Sequence, residues 1–564
     1  MIIGIDLGTT NSAVGVWRDG RAELIRNSLG DLLTPSAVSI GDDDQILVGM
    51  AARERQATHP QLTATAFKRL MGTSQKVRLG GQSFSPEELS ALVLGSLKAD
   101  VSAATGEEPT AAVITVPAYF NDHQRKATRL AGQIAGLTVE RLINEPTAAA
   151  LAYGIHERDD KEPFLVFDLG GGTFDVSIVE IFDRIIEVRS SAGDNRLGGE
   201  DFNDIVTAIA SRQLRLESGT GADSRIRELL HAAAERTRRA LTEKAEAPFT
   251  VVIDGTAHET VIAADEFAAE AEPLLARLRD PVLRSLRDSG LRTENLSEII
   301  LVGGATRMPI VRKTVTKMFG RFPSALVDPD LAVAAGAAVQ AGLRSRDSQL
   351  EEVRLTDVCP FTLGIDVTEI DRGGFHHHGH FSPIIERNTV LPASRVRSFA
   401  TVQNDQTLVR FGVYQGEARL VAQNIRLGSI QIPIPPRPAG EISVECRFSY
   451  DVSGLLEIDV FIPETGHTEQ LVIQDGYDGQ EDIEVRRAAL AALKVHPRED
   501  TANQAAIARA TRCYEMLVRE SREFVGKLIV DFEAVLERQD AKQIDLARRF
   551  LEEQLDAIEG ERFL

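Results

Sequence analysis

The feature that most constrains this chain is a pair of aspartate–glycine turns, each at the end of an apolar strand. The first lies in Ile2–Asn11 and the second in Phe164–Asp175, which places Asp6 and Asp168 162 positions apart. In each, a buried strand delivers a carboxylate to a turn whose glycines let backbone N–H groups approach an anion closely. The duplication predicts two turns that face each other across one anion.

A single turn of this kind usually marks an ordinary tight turn. Hydroxyl groups beside the glycines of both copies, at Thr9, Thr10 and Thr173, favour phosphate binding instead. A third strand, Glu298–Val302, runs into a glycine pair followed by Arg307, whose guanidinium can stack on a base. No G-x-x-x-x-G-K-[ST] run occurs, so a P-loop enzyme is not expected. Together these elements predict a nucleotide clamp.

The order of these elements, with three further motifs, resembles the DnaK-type (seventy-kilodalton heat-shock) chaperones. The motifs are Val116–Asp122, Asn144–Gly154 and Gly198–Phe202. The resemblance covers roughly residues 1–475 and is most specific in the first 345. Within that family the chain is similar to a short, divergent, HscC-like branch.

The resemblance implies a multidomain fold. An α/β actin- and hexokinase-like ATPase domain of two lobes precedes a β-sandwich and a short α-helical lid. The expected ranges are 1–345 for the nucleotide-binding domain, 346–356 for the linker, 357–478 for the β-sandwich substrate-binding domain and 479–564 for the truncated lid. The chain's 564 residues also exceed what one core accommodates.

Local patterns predict the elements of each part. Apolar strands alternate with amphipathic helices in the first part, and two alanine-rich helices are expected at Thr147–Gly154 and Ala332–Gly342. Short strands are expected at Ser398–Val402, Leu408–Tyr414, Ser443–Phe448 and Leu455–Ile462. Prolines make Gln431–Pro438 a loop rather than a central strand.

The last part of the chain is expected to be helical. One long helix carries an apolar face made of Ile507, Ala510, Tyr514, Leu517, Phe524, Leu528, Phe532 and Val535. A shorter helix follows, with Ile544, Ala547, Leu551, Leu555 and Ile558. A helical pair that packs on itself and a moving lid carry equal weight.

Composition excludes several classes of function. The net charge is −21 and the isoelectric point about 5.1, which argues against nucleic acid or an anionic membrane as partner. No apolar run is long enough to span a membrane. The three cysteines lack metal-ligand spacing and are expected to be packing residues. Met1 leads directly into the first strand, which predicts a cytoplasmic protein without a signal peptide.

The resemblance implies Mg²⁺-dependent hydrolysis of ATP to ADP and phosphate. The implied catalytic residues are Asp6, Lys68, Glu145, Asp168, Thr173 and Asp175. Asp6 and Asp168 are expected to hold a hydrated Mg²⁺, and the other two acids to complete an acidic ring. Lys68 is expected to orient the attacking water and Thr173 to contact the γ-phosphate. K⁺ is compatible with this site as a further ion.

The implied nucleotide-binding residues come from all three glycine elements and one helix. They are Gly8, Thr9, Thr10, Asn11, Gly170, Gly171, Gly172, Gly198, Gly199, Glu235, Arg238, Arg239, Thr242, Gly303, Gly304, Ala305, Arg307 and Asp330. The spacing of Glu235 to Thr242 puts four of them on one helix face, where a salt-bridge cluster is the alternative. The family usually has lysine at Arg238 and serine at Thr242, which leaves the nucleotide affinity open.

A third set is implied to link the domains, and several of its members to receive a J-domain co-chaperone. It consists of Pro117, Tyr119, Asn121, Asp122, Arg125, Arg141, Asn144 and Asp357. The linker Val353–Thr356 is more polar than the family's, which still permits an edge strand but predicts coupling in the lower part of the usual range of about 1–3 kcal/mol. The short hairpin Phe249–Asp265 argues against a GrpE-type exchange factor.

In the β-sandwich the resemblance implies a cleft for extended apolar client segments. Its expected residues are Ile365, Phe399, Val402, Val409, Phe411 and Leu455, for which a place in the core is the alternative. Thr368 replaces a large apolar arch residue, so loose client retention is expected. The short lid should speed client exchange further.

Four of the eleven histidines fall within 376–380. A solvated loop tip is expected there rather than a metal site, because adjacent histidines on a loop need further organised ligands.

Three functions remain open at this point. The first is a chaperone ATPase whose nucleotide state gates a peptide clamp. The second is a sugar or small-metabolite kinase, and the third an actin-like scaffold whose assembly is controlled by nucleotide. The first is favoured, because a kinase needs no β-rich and helical appendage and no sugar-specific motif is present.

Overall fold

The computed structural model describes most of the chain. The described residues are 1–41, 45–56, 58–153, 162–182, 185–216, 224–253, 256–324, 327–345, 354–370, 375–451, 454–473, 501–517 and 519–560. Across these stretches, no helix combines the length and the apolar character that crossing a membrane requires.

The described strands fall into two groups, one before and one after residue 357. In chain order they are β1 (Ile2–Asp6), β2 (Asn11–Arg18), β3 (Arg21–Leu24), β4 (Thr34–Pro35), β5 (Ala37–Ile40), β6 (Ile46–Val48), β7 (Thr63–Thr65), β8 (Val77–Leu79), β9 (Gln82–Phe84), β10 (Ala111–Val116), β11 (Thr138–Asn144), β12 (Phe164–Leu169), β13 (Phe174–Phe182), β14 (Ile185–Asp194), β15 (Glu246–Ile253), β16 (Thr256–Ala263), β17 (Ile299–Val302), β18 (Arg354–Thr356), β19 (Leu363–Ile370), β20 (His376–Ile385), β21 (Ala393–Ala400), β22 (Leu408–Gln415), β23 (Ile425–Pro433), β24 (Ser443–Tyr450), β25 (Leu456–Ile462) and β26 (His467–Ile473).

The described α-helices lie among the strands of the first group and at the end of the chain. They are α1 (Met50–Arg55), α2 (Pro86–Thr105), α3 (Asp122–Ile134), α4 (Glu145–Ala152), α5 (Gly199–Leu214), α6 (Ser224–Ala240), α7 (Ala264–Glu270), α8 (Glu272–Arg277), α9 (Arg279–Ser289), α10 (Pro309–Phe319), α11 (Ala332–Arg344), α12 (Thr501–Met516), α13 (Arg519–Glu537) and α14 (Ala541–Gly560).

The first lobe is built on a six-stranded sheet of order β11-β10-β1-β2-β3, with β4 paired to β2. Strand β1 runs parallel to β10 and antiparallel to β2. Ile3 and Ile5 of β1 pack in a core with α2, whereas Gly4 touches α11 on the other face. Because both faces are covered, β10 is buried along its whole length, and all of its residues except Thr115 are apolar.

The second lobe repeats this plan in a five-stranded sheet of order β17-β12-β13-β14-β18. Strand β12 runs parallel to β17 and antiparallel to β13, as β1 does with β10 and β2. The large buried side chains of its core include Phe167, Phe174, Phe202 and Phe249. The duplicated motif in the sequence therefore corresponds to a duplicated sheet.

Helices α4 and α11 cross where the two lobes meet. A Cβ at Gly336 would lie 1.7 Å from the carbonyl oxygen of Ala148, so only glycine permits this approach. Both alanine-rich helices are confirmed, with shifted boundaries. Helix α11 ends at Arg344, two residues later than predicted. Helix α4 begins at Glu145, two residues earlier than predicted, because Pro146 suits the first helical turn. The predicted end at Gly154 falls outside the described residues.

The part of the chain after residue 357 contains two four-stranded antiparallel sheets, of order β20-β19-β22-β23 and β21-β24-β25-β26. Their facing side chains form one apolar core that includes Ile365, Phe448 and Ile458. The four predicted strands are present, although Thr401 and Val402 lie beyond the end of β21. This arrangement is a β-sandwich.

One prediction for the sandwich holds in part and another is wrong. Residues 434–438 lie outside the strands, as predicted for Gln431–Pro438, but Gln431–Pro433 continue strand β23. The segment is not a central strand, since β23 is an edge strand and Pro433 its last residue. The histidines of 376–380 lie in β20 rather than at a loop tip. His380 is buried, with its Nδ1 2.9 Å from Oε2 of Glu369. Among the described residues, these histidines belong to no group of three or more potential ligands that could hold a metal ion.

Three helices form a separate apolar cluster at the end of the described chain. The prediction of a single long helix is wrong, since α12 ends at Met516 and α13 begins at Arg519. Phe524 is 45% exposed, and Val525 takes the buried position in its place. Helix α14 has 20 residues and is not shorter than α13, which has 19.

The predicted linker meets the second lobe. Arg354–Thr356 form β18, which pairs in parallel with β14 at the edge of the five-stranded sheet. This confirms the edge strand expected from the alternating pattern. Val353 and the linker residues before it lie outside the described residues.

Candidate functional site

The two aspartate–glycine turns face each other between the lobes. Asp6 is the last residue of β1 and Asp168 the penultimate residue of β12. A Cβ at Gly171 would lie 1.9 Å from Oγ1 of Thr10, so the turns approach as closely as glycine allows. Thr10 Oγ1 is buried and has no hydrogen-bond partner among the described residues. A phosphate oxygen between the turns would supply the missing partner.

A cavity of about 400 Å³ lies between these turns. The predicted residues that line it are Asp6, Gly8, Thr9, Thr10, Asn11, Lys68, Glu145, Asp168, Gly170, Gly171, Thr173, Gly199, Glu235, Arg238, Arg239, Thr242, Gly303, Gly304, Ala305, Arg307 and Asp330. The predicted residues Gly172, Asp175 and Gly198 lie beside the cavity without lining it. Sequence reasoning did not single out Leu33, Glu200, Glu243, Val302, Pro329 and Val333 as lining residues. Glu200 and Val302 lie within motifs described above, and Val333 lies in a predicted helix. Glu243 and Pro329 are adjacent to predicted residues, whereas no motif marks Leu33.

Four acidic side chains and one lysine meet at the base of the cavity. Lys68, 4% exposed in the 3-10 turn Phe67–Leu70, donates from Nζ to Oε1 of Glu145 at 2.9 Å. Oδ1 of Asp6 accepts a hydrogen bond from Thr115 Oγ1 at 2.9 Å. Oδ2 of Asp175 is buried and unpaired among the described residues. One cation therefore faces four carboxyl groups.

Burial and mutual repulsion disturb the ionisation of these acids. Burial first, and then the charge of Glu145, raises the pKa of Asp6 to about 7 and that of Asp175 to about 8. Burial and the neighbouring carboxylates also hold the pKa of Asp168 well above its usual value, although Lys68 lowers it. A divalent cation among these oxygens would relieve the repulsion, so the residues present fit Mg²⁺.

The opposite end of the cavity is formed by α6 and the turn after it. Arg238 is buried and donates from Nε to Oδ1 of Asn203 at 2.7 Å. Arg239 pairs with Glu235 at 2.7 Å. Thr242 lies two residues beyond the end of α6, so the prediction that all four residues share one helix is wrong. Its N–H still bonds to Arg239 O, and the turn brings it to the same cavity.

Strand β17 delivers the third glycine element. Gly303 has φ 82° and lies so close to β12 that a Cβ would be 2.4 Å from Leu169 O, which excludes any other residue. Arg307 lines the cavity, with Nε 2.7 Å from Asp330 Oδ2 and Nη2 2.5 Å from Asp328 Oδ1. These bonds hold the guanidinium plane at the cavity mouth.

Contacts across the mouth of the cleft join the lobes and were not predicted. Arg53 of α1 pairs with Glu235 of α6. Gln56 donates to Glu228 of α6 at 2.9 Å. Deeper in the cleft, a third contact joins Arg69 and Asp201 at 2.8 Å. Pairs this distant in sequence give no local signal, so only the fold reveals them.

The residues expected to couple the domains lie where the first lobe meets the sandwich. Asn144 accepts from Arg125 Nη2 at 2.7 Å and donates to Asp357 Oδ2 at 2.6 Å. The N–H of Asp122 donates to Oε1 of Gln415 at 3.2 Å. The rings of Tyr119 and Phe361 are 4.3 Å apart. Gln415 and Phe361 were missed by sequence reasoning.

The other three coupling residues have different surroundings. Arg141 lines a cavity of about 30 Å³ together with Arg125 and Asp357, and burial lowers the pKa of its guanidinium. Asn121 caps α3 through a hydrogen bond from the N–H of Gln124 at 3.0 Å. Pro117 is buried, and its carbonyl accepts the N–H of Phe120. Asn121 and Pro117 therefore stabilise the local backbone conformation.

A second contact with the sandwich, also missed by the sequence, is made by the second lobe. Arg387 donates to both oxygens of Asp288 at 2.9 and 3.1 Å, and to Glu417 at 2.8 Å. Asn388 donates to Asp288 at 2.9 Å and accepts from the N–H of Ser191 at 3.0 Å. Both lobes therefore hold the sandwich.

The sandwich has its own cavity of about 450 Å³. Phe399, Val402, Val409 and Phe411 line it, as does Thr368. Of the other predicted cleft residues, Ile365 points into the sandwich core, and Leu455 is fully buried and does not reach the cavity. Apolar lining that the sequence did not single out comes from Val367 and Val444.

Fold and site together define a class of protein: a two-lobed α/β ATPase with a β-sandwich and a helical end docked to it. A profile of the Hsp70 protein family matches residues 2–563. Chaperone protein dnaK3 of Thermosynechococcus vestitus (strain NIES-2133 / IAM M-273 / BP-1) is 38% identical over 605 aligned positions, which cover 98% of this chain and 87% of that protein. The chain belongs to the Hsp70 family.

Membership decides between the three functions left open above. The chain is a molecular chaperone, an ATPase whose nucleotide cycle regulates the binding of client proteins. Members of the family bind ATP and ADP with Mg²⁺ and act on unfolded client peptides. The kinase and scaffold alternatives are not supported, because the match extends over the sandwich and the helical end.

Proposed function

We propose that the cavity between the lobes hydrolyses ATP with the residues predicted from the sequence. Asp6 and Asp168 would hold Mg²⁺, mostly through water, and Asp175 and Glu145 would hydrogen-bond to that water. When bound, the ion neutralises phosphate charge. Lys68, fixed by its 2.9 Å bond to Glu145, would position the attacking water. Thr173 would contact the γ-phosphate, and K⁺ is a candidate for a second ion.

The observation that carries this proposal is the group of four acids around Lys68, beside the buried and unpaired hydroxyl of Thr10. The adenosine is proposed to lie against Glu235, Arg238, Arg239 and Thr242, with Arg307 stacking on the base. Each of these side chains lines the same cavity.

Replacing Lys68 tests the assignment. In Lys68→Ala we expect single-turnover ATP hydrolysis to fall by about 10²-fold or more, because positioning and charge stabilisation dominate phosphoryl transfer. ATP affinity should change by less than about threefold, since uniform binding is not the role assigned to Lys68. The matched control is Lys76→Ala, an exposed lysine of the same lobe. Hydrolysis at the normal rate in Lys68→Ala would contradict the proposal.

We further propose that the sandwich cavity binds the client and that the contacts of Asn144, Asp357 and Arg387 transmit the nucleotide state to it. A J-domain co-chaperone is proposed to bind near Arg141 and Asn121. Loss of J-domain stimulation in Arg141→Ala, with unchanged basal hydrolysis, is the expected result. A GrpE-type exchange factor is not proposed.

We also propose the four domain ranges, the HscC-like branch, the cytoplasmic location and the weaker coupling through the polar linker that the sequence predicts.

A further inference from the structure

The cavity of the sandwich, whose use by the client is proposed above, has an aromatic and aliphatic floor. The rings of Phe399 and Phe411 are 6.1 Å apart at a tilt of 51°. Val409 and Val444 are buried beside them. A floor of this kind accepts one large apolar side chain of an extended segment. Polar side chains also line the cavity, among them Ser382, Thr401 and Gln406, but they are uncharged. Discrimination by charge must therefore come from the charged residues of the lining, which are called the rim here: Asp366, Glu369, Arg397 and Arg410.

The rim carries both signs of charge. Oδ1 of Asp366 accepts the N–H of Gly412 at 2.5 Å, and Glu369 lies 2.9 Å from His380 and 3.9 Å from Arg419. Among the described residues, the two arginines donate to uncharged acceptors. Arg397 bonds to the carbonyl of Pro383 at 2.9 Å, and Arg410 to the side-chain amide of Gln431 at 3.2 Å.

Within the described residues, therefore, neither Arg397 nor Arg410 has a carboxylate partner, and both are exposed. Arg397 is the better placed of the two, since its Cζ lies 5.9 Å from the centre of the Phe399 ring. Arg410 is paired along β22 with Gln431 of β23, on the outer side of its sheet. An uncompensated guanidinium beside an apolar floor attracts a carboxylate that arrives with the client.

The spacing along β21 sets where that carboxylate must be. Arg397 and Phe399 are two positions apart and face Cys446 and Val444 of β24, so they project from the same face of the strand. In an extended client segment, side chains two positions apart also share a face, about 7 Å from each other. A client residue that fills the cavity over Phe399 thus places its second neighbour next to Arg397.

We propose that this chaperone selects extended client segments in which an aspartate or glutamate lies two positions from the apolar residue that enters the cavity. Arg397 is the residue that determines the preference, and Arg410 adds to it at longer range. The inference rests on the proposed client cavity, and it names the class of segment that this cavity takes.

The test compares three fluorescein-labelled heptapeptides with a central leucine, which carry aspartate, asparagine or lysine two positions from it. Anisotropy with the full chain and ADP is expected to show aspartate binding about 3- to 10-fold more tightly than lysine, as for one partly desolvated ion pair. Raising the salt concentration should reduce the ratio. In Arg397→Gln the ratio should fall below about twofold, and Arg397→Lys should restore part of it.

Arg437→Gln is the matched control, since Arg437 is exposed on the same sandwich and lies outside the cavity. Equal affinity for the three peptides, a preference for lysine, or an unchanged ratio in Arg397→Gln would overturn the inference. A second variant, Val402→Trp, distinguishes failure of the charge preference from failure of the proposed client cavity. Because the tryptophan fills the cavity, the affinity for all three peptides should fall about 10-fold or more. Unchanged affinity in this variant, once thermal unfolding has shown that it is folded, would reject the cavity as the client site.

Discussion

Contacts between neighbouring helices position residues that line the cavity between the lobes. His231 of α6 places Nε2 3.0 Å from Oε2 of Glu200, and 4.0 Å from Asp204, both on α5. Glu200 lines the cavity. Burial alone would lower the pKa of His231, but the hydrogen bond and charge of Glu200 outweigh it and leave the pKa raised. The same contact outweighs burial at Glu200 and lowers its pKa.

The sign of the pH effect follows from these two shifts. The contribution of His231, raised from 6.5, is fully present below pH 6.5 and is lost as pH rises through the folded-state pKa. The contribution of Glu200, lowered from 4.5, is present above pH 4.5 and is lost as pH falls through its folded-state pKa. The pair therefore stabilises the fold most between these two values.

We expect His231→Gln to lower the free energy of unfolding by roughly 1 kcal/mol near pH 6, with the difference from the wild type shrinking toward pH 9. Urea unfolding at several pH values measures this. His231→Lys is the control, because a lysine stays charged over this range. The difference in unfolding free energy between this variant and the wild type should therefore change with pH only through the titration of His231 in the wild type. A His231→Gln difference that is constant with pH would contradict the assignment.

The ion pair of Arg53 and Glu235 joins the two lobes at the mouth of the cleft. Its loss in Arg53→Ala should speed ADP release about fivefold, the equivalent of about 1 kcal/mol for a largely buried pair. Stopped-flow release of a fluorescent ADP analogue measures the rate. Arg78→Ala, an exposed arginine of the same lobe that bonds only to Gly80 O, should release ADP at the wild-type rate.

At the scale of elements, the crossing of α4 and α11 determines how closely the lobes approach. Gly336→Ala forces these helices apart, because its Cβ would lie 1.7 Å from Ala148 O. We expect a loss of about 2–3 kcal/mol in unfolding free energy. Gly95→Ala in α2 is the control, since a Cβ there meets nothing within 4 Å. It should instead stabilise the chain by up to about 1 kcal/mol, as alanine favours helix. Equal effects of the two changes would contradict the packing argument.

Elements with a strong local pattern were predictable, and elements whose ends depend on neighbours were not. The period of apolar residues correctly predicts helix from Ile507 to Val535, but it cannot show the break after Met516, because both helices keep the same face toward a common core. The histidines of β20 resemble a polar loop, and only pairing with β19 makes them a strand. The local sequence pattern shows only which residue types are present, whereas the pairing of a strand depends on its partner strand elsewhere in the chain.

At the scale of the whole molecule, the sandwich is held by both lobes, and the Arg387–Asp288 contact is the clearest test of coupling. In Arg387→Ala we expect ATP-triggered release of a bound peptide to slow by about tenfold, which corresponds to a coupling within the usual range of about 1–3 kcal/mol. Peptide affinity with ADP should remain within about twofold if the contact only couples the domains. Stopped-flow anisotropy measures both.

A double-mutant cycle supplies the control for this interface. Asp288→Ala should also slow release, and the loss in the double variant should be clearly smaller than the sum of the two single losses, since the two residues share one contact. Arg426→Ala, exposed on β23, should leave release unchanged. Additive losses in the double variant would show that the two residues act separately.

The sequence alone determined the family and most of the cavity between the lobes, since Asp6, Asp168 and Gly303 lie at or next to the ends of their strands and carry their chemistry within a few residues. Close backbone approach needs glycine, and that need is visible locally. The tertiary structure decided the contacts between distant segments: Arg53 with Glu235, Arg387 with Asp288, and Val444 in place of Leu455 at the cavity of the sandwich. Such pairs form because the fold brings their elements together, and neither residue needs a particular neighbour in the chain.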